Sequence, residues 1–158
     1  SHSFRYCTIA NYGNTSEALL ASNLFCLDPL CSEASLNAVS LDFINCIITG
    51  NQTDEITFID GTGGVAGAFN YVFNTSLVRI NELLDADQWP DFLDNCNACI
   101  RHMPSDKLFF DLNMGDYHLD SLAVVRGKAT PIAGLPDDLD GVFRHPVTPD
   151  MGCYEFGI

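Results

Sequence analysis

Three stretches of the chain share one alternation of apolar and small residues. "FRYCTIAN" begins at Phe4, "FINCIITGN" at Phe43 and "FNTSLVRI" at Phe73. Each reads aromatic, two variable residues, a small Cys or Ser, then two residues that are mostly β-branched or aliphatic. Thr8-Ile9, Ile47-Ile48 and Leu77-Val78 suit the strands of a buried parallel sheet. Cys7, Cys46 and Ser76 are small enough for an inward position where strands stack closely. The starts lie 39 and 30 residues apart. A short strand recurring at such irregular intervals predicts a solenoid with loop insertions. Phe4, Phe43 and Phe73 are then expected in equivalent stacked positions, as are Cys7, Cys46 and Ser76.

Helical periodicity is sparse. "TSEALLASNLF" places Ala18, Leu19 and Leu20 after a Thr15 or Ser16 cap. "SLVRINELLDADQW" has some helical period, overlaps a repeat strand and stops at Pro90. Both read as loops holding at most a turn of helix. "DGTGGVAGAFN" is Gly-rich and follows the strand-like "EITFI", but it is not GxGxxG and lacks the Lys of a phosphate loop. It reads as a connection between coils.

Composition narrows the class. The 158 residues fit one domain with a sizeable core, and 47% of them are hydrophobic, unlike a disordered acidic tail. Seven Lys and Arg face 21 Asp and Glu, a formal charge of −14. Such a surface repels nucleic acid and anionic membranes. No apolar run approaches the roughly 20 residues that span a bilayer, and the first residues do not read as a secretory signal. The chain opens inside a strand-like stretch, so a piece of a longer protein is expected.

The seven cysteines are an odd number, so they cannot all pair within the chain. Cys26 and Cys31 flank the turn "LDPL", where a loop-closing disulfide is expected. Cys96 and Cys99 form a single CxxC, open to three readings: structural thiols, a local disulfide, or a metal or redox pair. No second CxxC or spaced His pair completes a zinc set. Cys7 and Cys46, in repeat register, are expected to stay reduced in the core.

"FINCIITGNQTDEITF" resembles a coil of the right-handed parallel β-helix of secreted bacterial proteins. "LFFDLNMGDYHLDSLAVVRGKA", residues 108–129, resembles the segment that follows their last coils. "DDLDGVFRHPVTPDMGCYEF" is similar to their terminal D-x-D-G-x-x-R…D-x-G-x-Y-E. The resemblance is to the β-helix proteins labelled choice-of-anchor Q, in a form like those of Bacteroidetes, and covers about three quarters of the chain. Ala123 and Val124 depart from it, standing where many relatives carry Ser-Pro. It implies an all-β fold: a right-handed parallel β-helix with a C-terminal capping segment. Residues 1–107 would form coils with loop insertions, and 108–158 a final coil and cap of the same domain. The implied role is a noncatalytic portion of a secreted or surface protein, serving adhesion, glycan binding or envelope assembly. Its partners would be the rest of the same polypeptide, an envelope protein or a glycan. The enzyme alternative is part of a polysaccharide lyase or glycoside hydrolase with its active coils upstream.

The tail residues have their own chemistry. Asp138, Asp140 and Gly141 form a D-x-D-G turn. An EF-hand starting at Asp138 fails, because Phe143 falls on the required Gly and Pro149 on the bidentate Glu. Adjacent Asp137 and Asp138 would point to opposite faces of a strand, which argues against an acid–base pair. Carboxylates in tight turns accept backbone N–H bonds, and Arg144 can fork onto one of them, or onto Asp150 or Glu155. Tyr154 and Phe156 alternate with Glu155 as in a last strand. Asp138, Asp140, Arg144, Asp150, Tyr154 and Glu155 therefore read as a structural clasp covering the end of the solenoid. No cofactor is expected, with calcium at this turn the lesser alternative. No catalytic residue is assigned, since the nucleophile elbow is absent and the four histidines show no mutual metal spacing. Trp89, the single tryptophan, is the candidate for stacking on a sugar face, against a plain loop-packing role.

Overall fold

A computed structural model describes residues 1–13 and 15–157. The protein is all-β, and among the described residues the helical elements are three short 3-10 turns, at Glu82–Leu84, Phe92–Asn95 and Leu112–Met114. The first repeat supplies β1 (His2–Arg5), β2 (Thr8–Asn11) and β3 (Leu19–Ser22), then a hairpin of β4 (Leu24–Cys26) and β5 (Ala34–Leu36). The second supplies β6 (Val39–Ile44), β7 (Ile47–Gly50) and β8 (Ile56–Ile59). The third supplies β9 (Phe69–Asn74) and β10 (Leu77–Val78), and a fourth β11 (Cys96–Asn97) and β12 (Ile100–Arg101). A closing antiparallel pair joins β13 (Phe109–Asp111) and β14 (Asp116–Leu119).

Equivalent strands of successive repeats lie side by side and parallel. One four-stranded sheet runs β1-β6-β9-β11, a second β2-β7-β10-β12, and β3 pairs with β8. Phe4 pairs with Phe43 and Phe43 with Phe73, and their rings stack at centroid distances of 4.5 and 4.6 Å. Thr8, Ile47, Leu77 and Ile100 align next door, which brings Cys7, Cys46, Ser76 and Cys99 to equivalent places. The repeat read in the sequence is thus present in register. A fourth copy, at Cys96–Arg101, lacks the aromatic: Cys96 stands opposite Phe73.

Each repeat turns the corner between its two sheets in the same way. Tyr6, Asn45, Thr75 and Ala98 all take positive φ, from 47° to 58°. Only asparagine adopts this region readily, and the others pay about 1–2 kcal/mol. Hydrogen bonds between stacked corners hold them there. Tyr6 N–H donates to the Ile44 carbonyl at 3.0 Å, Asn45 to Asn74 at 3.0 Å and Thr75 to Asn97 at 2.8 Å.

Two cores lie on opposite faces of the second sheet, because side chains alternate along its strands. Cys46, Ile48 and Val78 join the Phe43–Phe73 ladder, with Ile56, Phe58 and Phe92. Ile47 and Leu77 face the other way, into a core made with Leu108, Phe109, Leu119, Val125 and Met151. Both faces are covered, as a parallel sheet rich in Ile and Leu requires.

Several sequence expectations change. Leu19 and Leu20 belong to strand β3 rather than to a loop or helical turn, because Leu19 pairs with Ile56 in the next repeat. "MGCYEF" forms no strand: residues 151–153 bend and 154–157 run irregularly, and the N–H groups of Cys153, Glu155 and Phe156 donate to side chains rather than to a neighbouring strand. The tail also packs along the flank of the second sheet rather than on an end, since the exposed apolar row to be covered is Ile47, Leu77 and Ile100.

Candidate functional site

The last 50 residues are held by carboxylates that accept main-chain N–H groups. Asp138 Oδ1 accepts from Asp140 and Val142, closing the D-x-D-G turn, and its Oδ2 accepts from Glu155 at 2.8 Å. Asp150, 5% exposed, accepts from Gly127 and Phe156. Glu155 accepts from His145 at 2.9 Å and Asp150 at 3.0 Å. Three short-range loops are thereby tied at one place.

Arg144 lies at the centre of these loops. Its side chain and that of Glu155 are 5% and 8% exposed, with 3.5 Å between Nη1 and Oε2. Nη2 donates to the carbonyls of Gly152 and Cys153, and the guanidinium sits 3.9 Å from the Tyr6 ring centroid. An almost buried cation is tolerable only with such partners. The Tyr6 hydroxyl donates to the Thr130 carbonyl at 2.7 Å, and Asn45 holds Thr130 from both sides, Nδ2 to its carbonyl and Oδ1 from its N–H. The corner residues of the first two repeats thus grip the tail.

Asp140 and Tyr154 lie outside this buried group, around His118. Asp116 and Asp140 meet the two ring nitrogens at 2.6 and 2.8 Å, and Tyr154 stacks on the imidazole at 4.1 Å. The two carboxylates, Asp140 foremost, raise the His118 pKa. Among the described residues no three His, Cys, Asp or Glu side chains converge as a metal-holding group.

Trp89 is half-buried, its ring edge-on to Phe58 at 5.4 Å and close to Phe69 and Tyr71. The disulfides are Cys26–Cys31 and Cys96–Cys99, the two pairs nearest in sequence, while Cys7, Cys46 and Cys153 are free. With its sulfurs joined, the CxxC is not available as a thiolate pair.

A second site was not visible in the sequence. Between the second sheet and the 103–109 segment lies a cleft of about 380 Å³, lined by Tyr12, Arg79, His102, Asp106 and Lys107 among others. Its residues come from all four repeats, and only the sheet register brings them together. His102 Nδ1 and Thr49 Oγ1 are 2.6 Å apart, and Tyr12 Oη lies 3.5 Å from the same hydroxyl. Burial, helped by the nearby Arg79 cation, lowers the His102 pKa.

These features define an all-β protein of stacked parallel strand repeats with a carboxylate-tied flanking tail. Compared with family models, curated proteins and solved structures, the chain matches none.

Proposed function

We propose that the chain is the C-terminal portion of a right-handed parallel β-helix of the choice-of-anchor Q type, and that it is noncatalytic. It belongs to a secreted or surface bacterial protein acting in adhesion, glycan binding or envelope assembly. The observation that carries the reading is the Phe4–Phe43–Phe73 stack, with the equivalent small residues beside it in four successive parallel repeats. Parallel strands joined by crossovers take the right-handed sense almost without exception. Asp138, Asp140, Arg144, Asp150, Tyr154 and Glu155 act in this reading as a structural clasp. His118 and His145 support it, since both use ring nitrogens in contacts within the tail. Two disulfides suit an oxidising compartment.

The test is protease shaving of intact source cells followed by mass spectrometry, beside a cytosolic marker. Peptides from this chain are expected in the shaved or secreted fraction. Recovery only together with the cytosolic marker would overturn the placement.

A further inference from the structure

The cleft beside the second sheet carries chemistry that the tail and the strand repeats do not use. His102 is 8% exposed, and its Nε2 is buried without a hydrogen-bond partner. The Asp106 main chain lies near the ring without closing a bond of ordinary geometry. A buried ring nitrogen left unmatched carries the cost of its lost hydration. A bound group would recover it.

Two of the chain's seven cations line the cleft. Against 21 Asp and Glu there are only seven Lys and Arg, so every cation has carboxylates to choose from. Arg5 pairs with Asp42 and Arg144 with Glu155. Arg79 and Lys107 form no ion pair among the described residues, like Arg101, Arg126 and Lys128, but these two line one cavity together with the buried His102 imidazole. Arg79 gives Nε to the Gln52 carbonyl, which fixes the guanidinium. The one lining carboxylate, Asp106, already accepts from Met103 N–H at 2.8 Å. Glu55 beneath has both oxygens taken, by the N–H groups of Gln52 and Ala18.

The polarity of the imidazole follows from its neighbours. It is neutral, because burial and Arg79 lower its pKa. If Tyr12 Oη donates to Thr49 Oγ1, the Thr49 hydroxyl is left to donate to Nδ1, and in that tautomer the ring proton sits on Nε2. The cleft then presents three donors, Nε2–H, the Arg79 guanidinium and the Lys107 ammonium. Tyr12 and Phe109, edge to face at 6.0 Å, add apolar wall. The volume falls in the range of small-molecule sites, about 300–1,000 Å³.

We infer that this cleft is a binding site for a singly charged oxyanion, a carboxylate or a sulfate ester, carried on a body of monosaccharide size. Arg79 and Lys107 hold the charge, and His102 Nε2 donates to one of its oxygens. The site does not depend on the β-helix reading, and either can fail without the other.

The test is an NMR titration of ¹⁵N-labelled protein at constant ionic strength with three probes: sodium glucuronate, glucose and sodium sulfate. Glucuronate is expected to shift the amides of Gly50, Asn51, Lys107 and Leu108 saturably, and the His102 ring nitrogens with them, while glucose leaves them in place. Lys107 is exposed, so Lys107→Gln should fold normally and weaken glucuronate binding about tenfold, the loss of one charge-assisted contact. Lys107→Arg should restore most of it. His102→Asn, which retains a group near Thr49 but removes Nε2, is expected to weaken binding as well. If it fails to fold, the Lys107 pair decides the matter. Sulfate that shifts the same amides as tightly as glucuronate would support the anion site and assign a free oxyanion as its ligand. Equal responses to glucose and glucuronate, shifts located elsewhere, or full binding by Lys107→Gln would overturn the inference.

Discussion

The main-chain N–H of Cys153 donates to Thr8 Oγ1 at 3.0 Å, across 145 residues of sequence. The end of the chain therefore lies against its second strand. Gly152 N–H donates to the Asn45 carbonyl beside it at 2.8 Å. The tail starts near the last repeat and finishes on the first, so it braces the row of repeats along one side.

Arg144→Ala should lower stability strongly. It removes the partner of the nearly buried Glu155 and the donors to Gly152 and Cys153. Breaking a buried pair from one side costs about 3–5 kcal/mol, roughly a 10 °C fall in the melting midpoint for a chain of this size. Melts with calcium and with chelator should agree within error. A large calcium-dependent rise in the wild type would make the tail a metal site instead.

Gly152→Ala should be costly where Gly134→Ala is mild. Both glycines have positive φ, 88° and 85°. A Cβ at Gly152 would meet Ile47 Cδ1 and Thr8 Oγ1, each at 2.6 Å, whereas one at Gly134 meets nothing within 4 Å. Backbone strain alone costs about 1–2 kcal/mol. The clash adds about 1–3 kcal/mol at Gly152 only. Equal denaturation midpoints for the two variants would show that the tail does not press on the sheet there.

His118 should make the tail sensitive to rising pH. Its folded pKa is raised, first by Asp140 and then by Asp116. A raised value means stability that is complete below the unfolded value near 6.5 and is lost as pH rises through the folded value. The ring is about half exposed, so the effect is modest. Hydrogen exchange at residues 138–141 should quicken beyond the intrinsic trend as pH rises from 6.5 through the raised folded value, and His118→Gln should remove the excess. An excess that survives in the variant would assign the pH response to another group.

The thiols should differ in reactivity. The Cys46 thiol beside Cys7 lowers the Cys7 pKa, chiefly by hydrogen bonding, while Cys46 itself is fully buried and its pKa is raised. Iodoacetamide in limiting amount should label Cys7 well before Cys46, since the thiolate is the nucleophile. Mass spectrometry without reduction should show Cys26–Cys31 and Cys96–Cys99 intact. Cys46 labelled first, or a Cys7–Cys46 bridge, would contradict this.

The amino-acid pattern alone was enough for the all-β class, the register of Phe4, Phe43 and Phe73, and the loop-closing Cys26–Cys31 bridge, while Cys96 and Cys99 stood open between thiols, a disulfide and a metal or redox pair until the structure joined them. All rest on short-range chemistry: side-chain alternation, ring size at one repeat position, and cysteines close along the chain. The fourth repeat escaped because Cys96 replaces the aromatic and "CNAC" reads as a thiol motif before it reads as a corner. Its neighbour Ala98 nonetheless has the same left-handed backbone as Tyr6, Asn45 and Thr75. Only the tertiary structure decided where the tail lies. The apolar row of Ile47, Leu77 and Ile100 exists only once the strands are stacked, so nothing local in "MGCYEF" marks the face it covers. The cleft is the same case. Tyr12, Arg79 and the His102–Lys107 segment are far apart in sequence, and each residue alone is an ordinary polar one. Parallel pairing sets them around one space, because register fixes which side chains of successive repeats become neighbours.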